Sequence, residues 1–301
     1  MTDKKAVIEV IEEKEAFKVS VTPIKSQGKK TKLVEWIHET LEDIKHDDDY
    51  LYIEPFVGTG AVGFNIAPKN ALFADINPHL INFYNAIKNR TVTSKIVREY
   101  LTREGELLLL KGESHYYEVR DRFNKEGSPL DFLFVTRSCF NGMMRFNKKG
   151  GFNVPFCKKP ARFAQAYVTK ISNQVAWLEK KIHSNNWRFE IADFKTILEK
   201  YKGNPNVIYY LDAPYVLRHS DYFNGWGEKE EEDLFNGLSV QEGMFILSTW
   251  YGNDYRKNPY FETFWSTFEI KMKSHTYQVG PKEENRNEIW EALVINKKEK
   301  S

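Results

Sequence analysis

Asp212, Ala213, Pro214 and Tyr215 stand together where an apolar run, Val207 to Leu211, comes to an end. The stretch offers a carboxylate, a backbone carbonyl and an aromatic ring in quick succession. Two acceptors so placed can hold the hydrogens of an exocyclic amine and direct its lone pair at an electrophile. A ring beside them can stack on a base swung out of a helix. Pro214 biases Ala213 away from helix and toward extended backbone, which fixes where the Ala213 carbonyl points. Such a group works by positioning and electrostatics.

A second constellation lies upstream. "GTGAVG" sets Gly58, Gly60 and Gly63 in a G-x-G-x-x-G pattern after the run "YLYIEPF", and Asp75 closes the next run, "NALFAD". Glycines there allow a sharp turn and close approach of backbone to a ligand, and an acid ending the second strand can bind a ribose hydroxyl. This pattern alone fits NAD, FAD or S-adenosylmethionine, and it also fits a plain tight turn. Asp193 and Asp212 follow apolar runs as well. Three carboxylates at strand ends would line one sheet edge, although each alone could as readily cap a helix. "KSQGKKT" lacks the first glycine of a phosphate loop, which argues against ATP. The seven histidines are scattered without metal-ligand spacing, so no metal is expected.

Positioning these residues requires an α/β sheet. Short apolar runs, "YLYIEPF" and those ending at Asp75, Asp193 and Asp212, alternate with helical stretches such as "NPHLINFYNAIK" and "FKTILEKY", followed by "MFILSTW" and "NEIWEALVIN" as further strands. From Lys29 to Ile44, Leu33, Val34, Trp36, Ile37, Leu41 and Ile44 recur at roughly helical spacing. Residues 93–139 look mostly helical. Phe140 to Asn147 and Phe152 to Phe156 flank the turn Lys148-Lys149-Gly150-Gly151 and predict a β-hairpin. The expected division is an N-terminal extension at 1–20, a catalytic domain at 21–78 and 183–301, and an inserted subdomain at 79–182.

The chain has 301 residues, 41% hydrophobic and 15% aromatic, enough for a sizeable core, and a net charge of only +2. The charge is unevenly spread. From Arg137 to Lys181 basic residues recur and Glu179 is the single acid, a distribution suited to phosphates. Two cysteines make no disulfide framework. With no signal peptide and no apolar run of membrane-spanning length, the expectation is a soluble, cytoplasmic monomer that does not engage a membrane.

Together "FVGTG" (Phe56 to Gly60), the Asp-Ala-Pro-Tyr tetrad, "PIKSQGKKTK", "RSCFNGMMRFNKKGGFNVPFCKKP" and "FILSTWYGNDYR" resemble the Dam group of DNA adenine-N6 methyltransferases, colinearly over roughly residues 22–296. The resemblance implies a class I S-adenosylmethionine-dependent fold, a Rossmann-like mixed sheet, with an inserted DNA-recognition subdomain. The implied activity is methyl transfer from S-adenosylmethionine to adenine N6 in double-stranded DNA. The implied role is modification in a restriction–modification system, at GATATC or another GAT-beginning site. It places Lys30, Phe56, Gly58, Gly60, Asp75, Asp193 and Asp212 at the cofactor, with Ser26 where the group carries tryptophan. Asp212, Ala213, Pro214 and Tyr215 become catalytic. Phe140 is implied as a wedge in the base stack, Asn141 and Arg145 as base contacts, and Lys25 as a DNA contact. Lys148 and Lys149 suit the phosphates.

Other classes share parts of this pattern. A nicotinamide oxidoreductase would use the glycine turn but not the tetrad. A methyltransferase acting on RNA or protein would not need a base-reading hairpin. A catalytically impaired DNA-binding protein of the same fold is compatible with Ala213, where the group has proline.

Overall fold

The computed structural model describes residues 17–26, 30–215, 226–253, 257–276 and 288–297, with the backbone alone at 275, 276, 288 and 289. Most of the N-terminal extension expected at 1–20 therefore lies outside the described residues. Its described end is tied to the body, because the Ser20 amide donates to Asn65 Oδ1 at 2.6 Å.

A seven-stranded sheet runs through the molecule in the order β3-β2-β1-β4-β5-β7-β6. The strands are β1 (Leu51–Glu54), β2 (Asn70–Asp75), β3 (Asn186–Ile191), β4 (Val207–Leu211), β5 (Met244–Gly252), β6 (Glu269–Thr276) and β7 (Glu288–Asn296). The first five in spatial order are parallel, and β7 is antiparallel to both its neighbours. The chain moves outward from β1 through β2 to β3, then returns to β4 on the other side of β1. Between β1 and β4 the winding direction reverses, and in open α/β sheets ligands bind beyond the strand ends at such a point.

Strands β1 to β5 and β7 follow the apolar runs of the sequence. β6 does not, and it was not expected. It is an edge strand, none of its described side chains is buried, and lysines at 271 and 273 separate its apolar residues Ile270 and Met272, so no apolar run marks it.

Two hydrophobic clusters cover the two faces. One face presents Tyr52, Phe73, Trp187, Tyr210, Ile246 and Leu293 to the N-terminal segment, α1 (Val34–Ile44) and α2 (Gly63–Ile66). The long β2–β3 connection covers the same face. That connection contains α3 (Pro78–Lys88), α4 (Ser94–Lys111), α5 (Glu113–Glu126), α6 (Pro129–Ser138) and α7 (Gln165–Ser184). The other face presents Ile53, Leu72, Tyr209, Leu211 and Val294 to α8 (Phe194–Tyr201) and α9 (Glu228–Ser239). Period-two alternation along each strand assigns its residues to these faces.

Local chemistry sets the helix starts. Asn77 caps α3 with Pro78 at its first position, Thr93 caps α4, and Ser128 caps α6 ahead of Pro129. Residues of 79–182 and of the sheet share one cluster, so the long connection is packed as part of the core. Within it, Asp131 receives two hydrogen bonds from Arg122, at 2.8 and 2.6 Å, and another from Tyr100, while Glu104 pairs with His115 at 3.0 Å. Arg137 is buried and donates to the carbonyls of Pro23 and Thr22 and to Gln174, joining the N-terminal segment to α6 and α7.

The segment 139–157 doubles back on itself, but without a continuous ladder. Isolated antiparallel bridges pair Cys139 with Phe156 and Phe146 with Phe152. Asn141 and Gly142 adopt positive φ, 52° and 66°, which breaks regular strand geometry on one arm. The expected hairpin is thus a ribbon closed at its base and near its tip.

Candidate active site

Alternation along the strands has a further consequence. Glu54 shares parity with Tyr52, Asp75 with Phe73, Asp212 with Tyr210 and Glu291 with Leu293, so the four carboxylates stand on one face of the sheet. They converge near the reversal between β1 and β4.

The glycine turn follows β1. Gly58 and Gly60 take positive φ, 48° and 67°. A Cβ on Gly60 would run into the Phe64 ring, and one on Gly63 would strike Glu54 Oε2 and the Phe73 ring. Tyr84 of α3 holds the turn by donating to the Gly58 carbonyl at 2.8 Å. Asp75 receives the amides of Gly58 at 2.9 Å and Asn77 at 2.8 Å. Burial pushes its carboxyl up to about 6 against the pull of those two amides.

Asp212, just past β4, retains 27% of its side-chain exposure. Lys30 Nζ lies 3.5 Å from Asp212 Oδ1 and 3.1 Å from Glu291 Oε2. Loss of solvation pushes the Asp212 carboxyl up to about 6; Lys30 opposes the shift and Glu291 adds to it. Tyr215 donates to Glu291 at 2.6 Å and also meets Lys30 Nζ, which sits 4.4 Å from the centre of its ring. Lys30, Asp212, Tyr215 and Glu291 thus form one connected group. Ala213 is buried against the opposite cluster, which anchors the backbone between Asp212 and Pro214.

Phe56 belongs to an aromatic trio with Phe194 and Trp226, at centroid distances of 5.4 and 5.6 Å. Asp193 caps α8, accepting the Lys195 amide at 2.9 Å, and precedes the Phe194 of that trio. The cap role weighed for it from sequence is present.

The residues read as DNA contacts form a separate group. Phe140 is 49% exposed beside buried Cys139. Asn141 is exposed. Arg145 Nε donates to Asn153 Oδ1 at 2.9 Å across the ribbon. Lys148 and Lys149 are exposed at the tip, where Asn147 Oδ1 accepts the amides of Lys149 and Gly151 at 2.9 and 3.0 Å. The aliphatic part of Lys25 packs so closely on Gly142 that a Cβ there would lie 2.6 Å from it. Lys25 therefore sits with the ribbon while Lys30 sits at Asp212. Ser26 is half-buried between them.

Four residues at the site were not anticipated. Glu54 lies inside the "EPFVGTG" motif itself; it is 2% exposed and accepts from Tyr52 and from the Gly63 amide, each at 3.1 Å. Burial drives its carboxyl well above the usual range, and Asp212 and Asp75 drive it further. Glu291 is fully buried inside an apolar strand, "IWEALVIN", an interruption that could have signalled it. Tyr210 and Trp226 carry no sequence signal beyond their aromaticity.

The residues 26–279 match the family model of the D12 class N6 adenine-specific DNA methyltransferases. The chain belongs to that family, and its mixed seven-stranded sheet is a class I methyltransferase fold. It is 29% identical to the Type II methyltransferase M.MjaIII of Methanocaldococcus jannaschii, over 91% of this chain and 98% of that one. It is 30% identical to a DNA adenine methylase of Serratia marcescens, over 65% and 72%. It is 27% identical to the Type II methyltransferase M.CviBI of a Paramecium bursaria Chlorella virus, over 82% and 94%. No helix among the described residues is long and apolar enough to cross a membrane, and they contain no cluster of metal-ligating side chains.

Proposed function

We propose that this adenine-specific DNA methyltransferase uses S-adenosylmethionine as donor. It acts as a monomer on duplex DNA at GATATC or another GAT-beginning site, as the modification enzyme of a restriction–modification system. The observation that carries this reading is the convergence of Asp212, the Ala213 carbonyl and Tyr215 with the glycine turn and Asp75 at one reversal point of the sheet.

The site's chemistry suits that donor. Gly58 leaves space beside β1, where a Cβ would meet nothing nearer than the Phe56 carbonyl at 4.0 Å, Asp75 offers carboxylate oxygens, and the Tyr210 hydroxyl is buried with no hydrogen-bond partner among the described residues. Asp75 would hold the ribose, the Phe56–Phe194–Trp226 trio with Asp193 the adenine, and Lys30 and Asp212 would lie near the amino-acid end. When bound, S-adenosylmethionine supplies an electrophilic methyl on a sulfonium.

The chain's own residues supply the rest. Asp212 and the Ala213 carbonyl each accept one hydrogen of the target amine, which turns its lone pair out of conjugation with the ring. Tyr215 stacks on the extruded base. Lys30 holds Asp212 and Tyr215 in register through Glu291. In the ribbon, Phe140 fills the space the base leaves, and Arg145 and Asn141 contact bases, while Lys25 contacts the DNA beside it. The division into a catalytic domain and a recognition subdomain at 79–182 fits this separation of tasks.

The test is incubation with S-adenosylmethionine labelled in its methyl group and defined duplexes, followed by digestion and identification of the labelled base. Label at adenine N6 within GATATC or a related GAT site is the expected result. Label in RNA or protein but not in DNA, or adenine methylation indifferent to flanking sequence, would refute the reading.

A further inference from the structure

Among the described residues the active site is poor in positive charge. Glu54, Asp75 and Asp212 lie on one sheet face, and their ionic partner among the described residues is Lys30, 3.5 Å from Asp212. Lys30 is itself nearer to Glu291, at 3.1 Å. The partners of Glu54 are neutral, the Tyr52 hydroxyl and the Gly63 amide, and so are those of Asp75, the amides of Gly58 and Asn77. The other titratable groups around them are Tyr52 from β1, Tyr84 from α3, Tyr210 from β4 and Tyr215 beyond it, with Glu291 from β7. None of these adds a cation.

A second observation points to a ligand. Tyr210 is 1% exposed and its hydroxyl has no hydrogen-bond partner among the described residues. It shares its strand face with Asp212 and interacts electrostatically with Asp212, Lys30, Glu54 and Tyr215. A buried donor of this kind inside an acidic group is built to meet something polar.

Building on the donor assignment above, we propose that Glu54, with Asp75 and Asp212, makes the site a reader of the donor's positive charge, favouring the sulfonium over the neutral thioether product. Methyl transfer leaves the carbon–sulfur bond pair on sulfur, so the ligand loses one unit of positive charge while its shape hardly changes. Its amino-acid and nucleoside ends are the same before and after, and their contacts contribute equally to both. What differs is attraction between the sulfonium and carboxylates that have too few cations of their own. That attraction is strong in a confined site. Product therefore leaves because the charge that held the donor is gone.

A proton linkage follows. Asp75 and Asp212 are pushed up to about 6, and Glu54 is raised as well, so the ligand-free site carries protons below about pH 6. A cation binding there favours the ionised forms and displaces those protons. Donor affinity should then rise as pH increases through 6, by up to about tenfold per pH unit for each proton released. Affinity for the neutral product should rise less.

The measurement is titration calorimetry on the full chain from pH 5.5 to 8, in buffers of different ionisation enthalpy. The ligands are S-adenosylmethionine, S-adenosylhomocysteine and sinefungin, which bears an amine in place of the sulfonium. The two cationic ligands should release protons and gain affinity with pH more steeply than S-adenosylhomocysteine. Glu54→Gln should narrow the ratio of donor to product affinity by about tenfold while S-adenosylhomocysteine still binds. Asp75→Asn serves as a second variant, and the comparison on the unaltered chain needs neither. Equal pH slopes for charged and neutral ligands, or a Glu54→Gln variant that weakens both equally, would overturn the proposal and leave the donor assignment standing. If none of the three ligands bound at any pH, the donor assignment itself would fall.

Discussion

Glu54 is 2% exposed, and its two hydrogen bonds from Tyr52 and Gly63 do not repay the loss of water around a full charge. Its carboxyl is raised well above the usual range in the folded chain. A raised folded-state pKa stabilises the fold fully below the unfolded value, and that contribution is lost as pH climbs toward the folded value. Glu54→Gln has no such loss and keeps an acceptor for both donors. In ligand-free protein the variant should therefore match the parent near pH 4 and exceed it at pH 7.5. The gain should be about 1 kcal/mol or more, a rise in Tm of roughly 2–4 °C by differential scanning calorimetry. Ala213 lends itself to a similar argument. It supplies a carbonyl, as proline would, and Pro214 already restrains it. Ala213→Pro should raise the single-turnover methylation rate by fixing φ, whereas Asp212→Ala should abolish turnover and spare DNA binding; a dead Ala213→Pro variant would show that the carbonyl needs freedom. Asp212 and Tyr215 were legible because they close an apolar run in an unusual tetrad. Glu54 was not, because a glutamate before Pro-Phe looks like an ordinary strand end until Gly63 and Phe73 are seen packed around it.

Between residues 139 and 157 the sequence announced a hairpin through its turn, yet ladder pairing is confined to two bridges. The reason is local: positive φ at Asn141 and Gly142 turns one arm aside, so backbone bonds cross near the base, Phe140 to Pro155 and Cys157 to Ser138, and near the tip, Asn153 to Arg145 and Asn147 to Gly151, while side chains add Arg145 to Asn153 and Asn147 to the tip amides. Periodicity cannot report bonding of that kind. In the free protein Arg145 is held by Asn153, so reading a guanine means exchanging one acceptor for another at little cost in ordering. Arg145→Ala should relax discrimination at one G·C pair by roughly 1–3 kcal/mol in competitive methylation of single-base variants. Uniform loss across all sequences would make Arg145 a phosphate contact instead. β6 escaped notice for a related reason, since an exposed edge strand rich in lysine lacks the apolar run by which its neighbours were recognised.

At the scale of the whole molecule, the net charge of +2 conceals a division of labour. Carboxylates gather at the end of the sheet, and the excess of Lys and Arg lies in the segment from Arg137 to Lys181. DNA binding should be salt-dependent through the exposed lysines of the second group. Lys148→Ala and Lys149→Ala should each lower the slope of log K against log salt by about 1 and leave site preference unchanged, as fluorescence anisotropy over a range of salt would record. The α/β alternation was readable from the order of runs and helices. The way the β2–β3 connection merges its core with that of the sheet was not, because a shared core depends on contacts between segments far apart in sequence.

Lys30 and Glu291 meet across 261 positions of chain. Closing a loop of that size is entropically costly and comes late, after the local helices and the parallel strands have formed. A chain still emerging from the ribosome carries the tetrad, the glycine turn and the ribbon well before β7 exists to hold Lys30 beside Asp212. The ribbon and the tetrad are thus synthesised before the strand that completes the group of Lys30, Asp212 and Glu291.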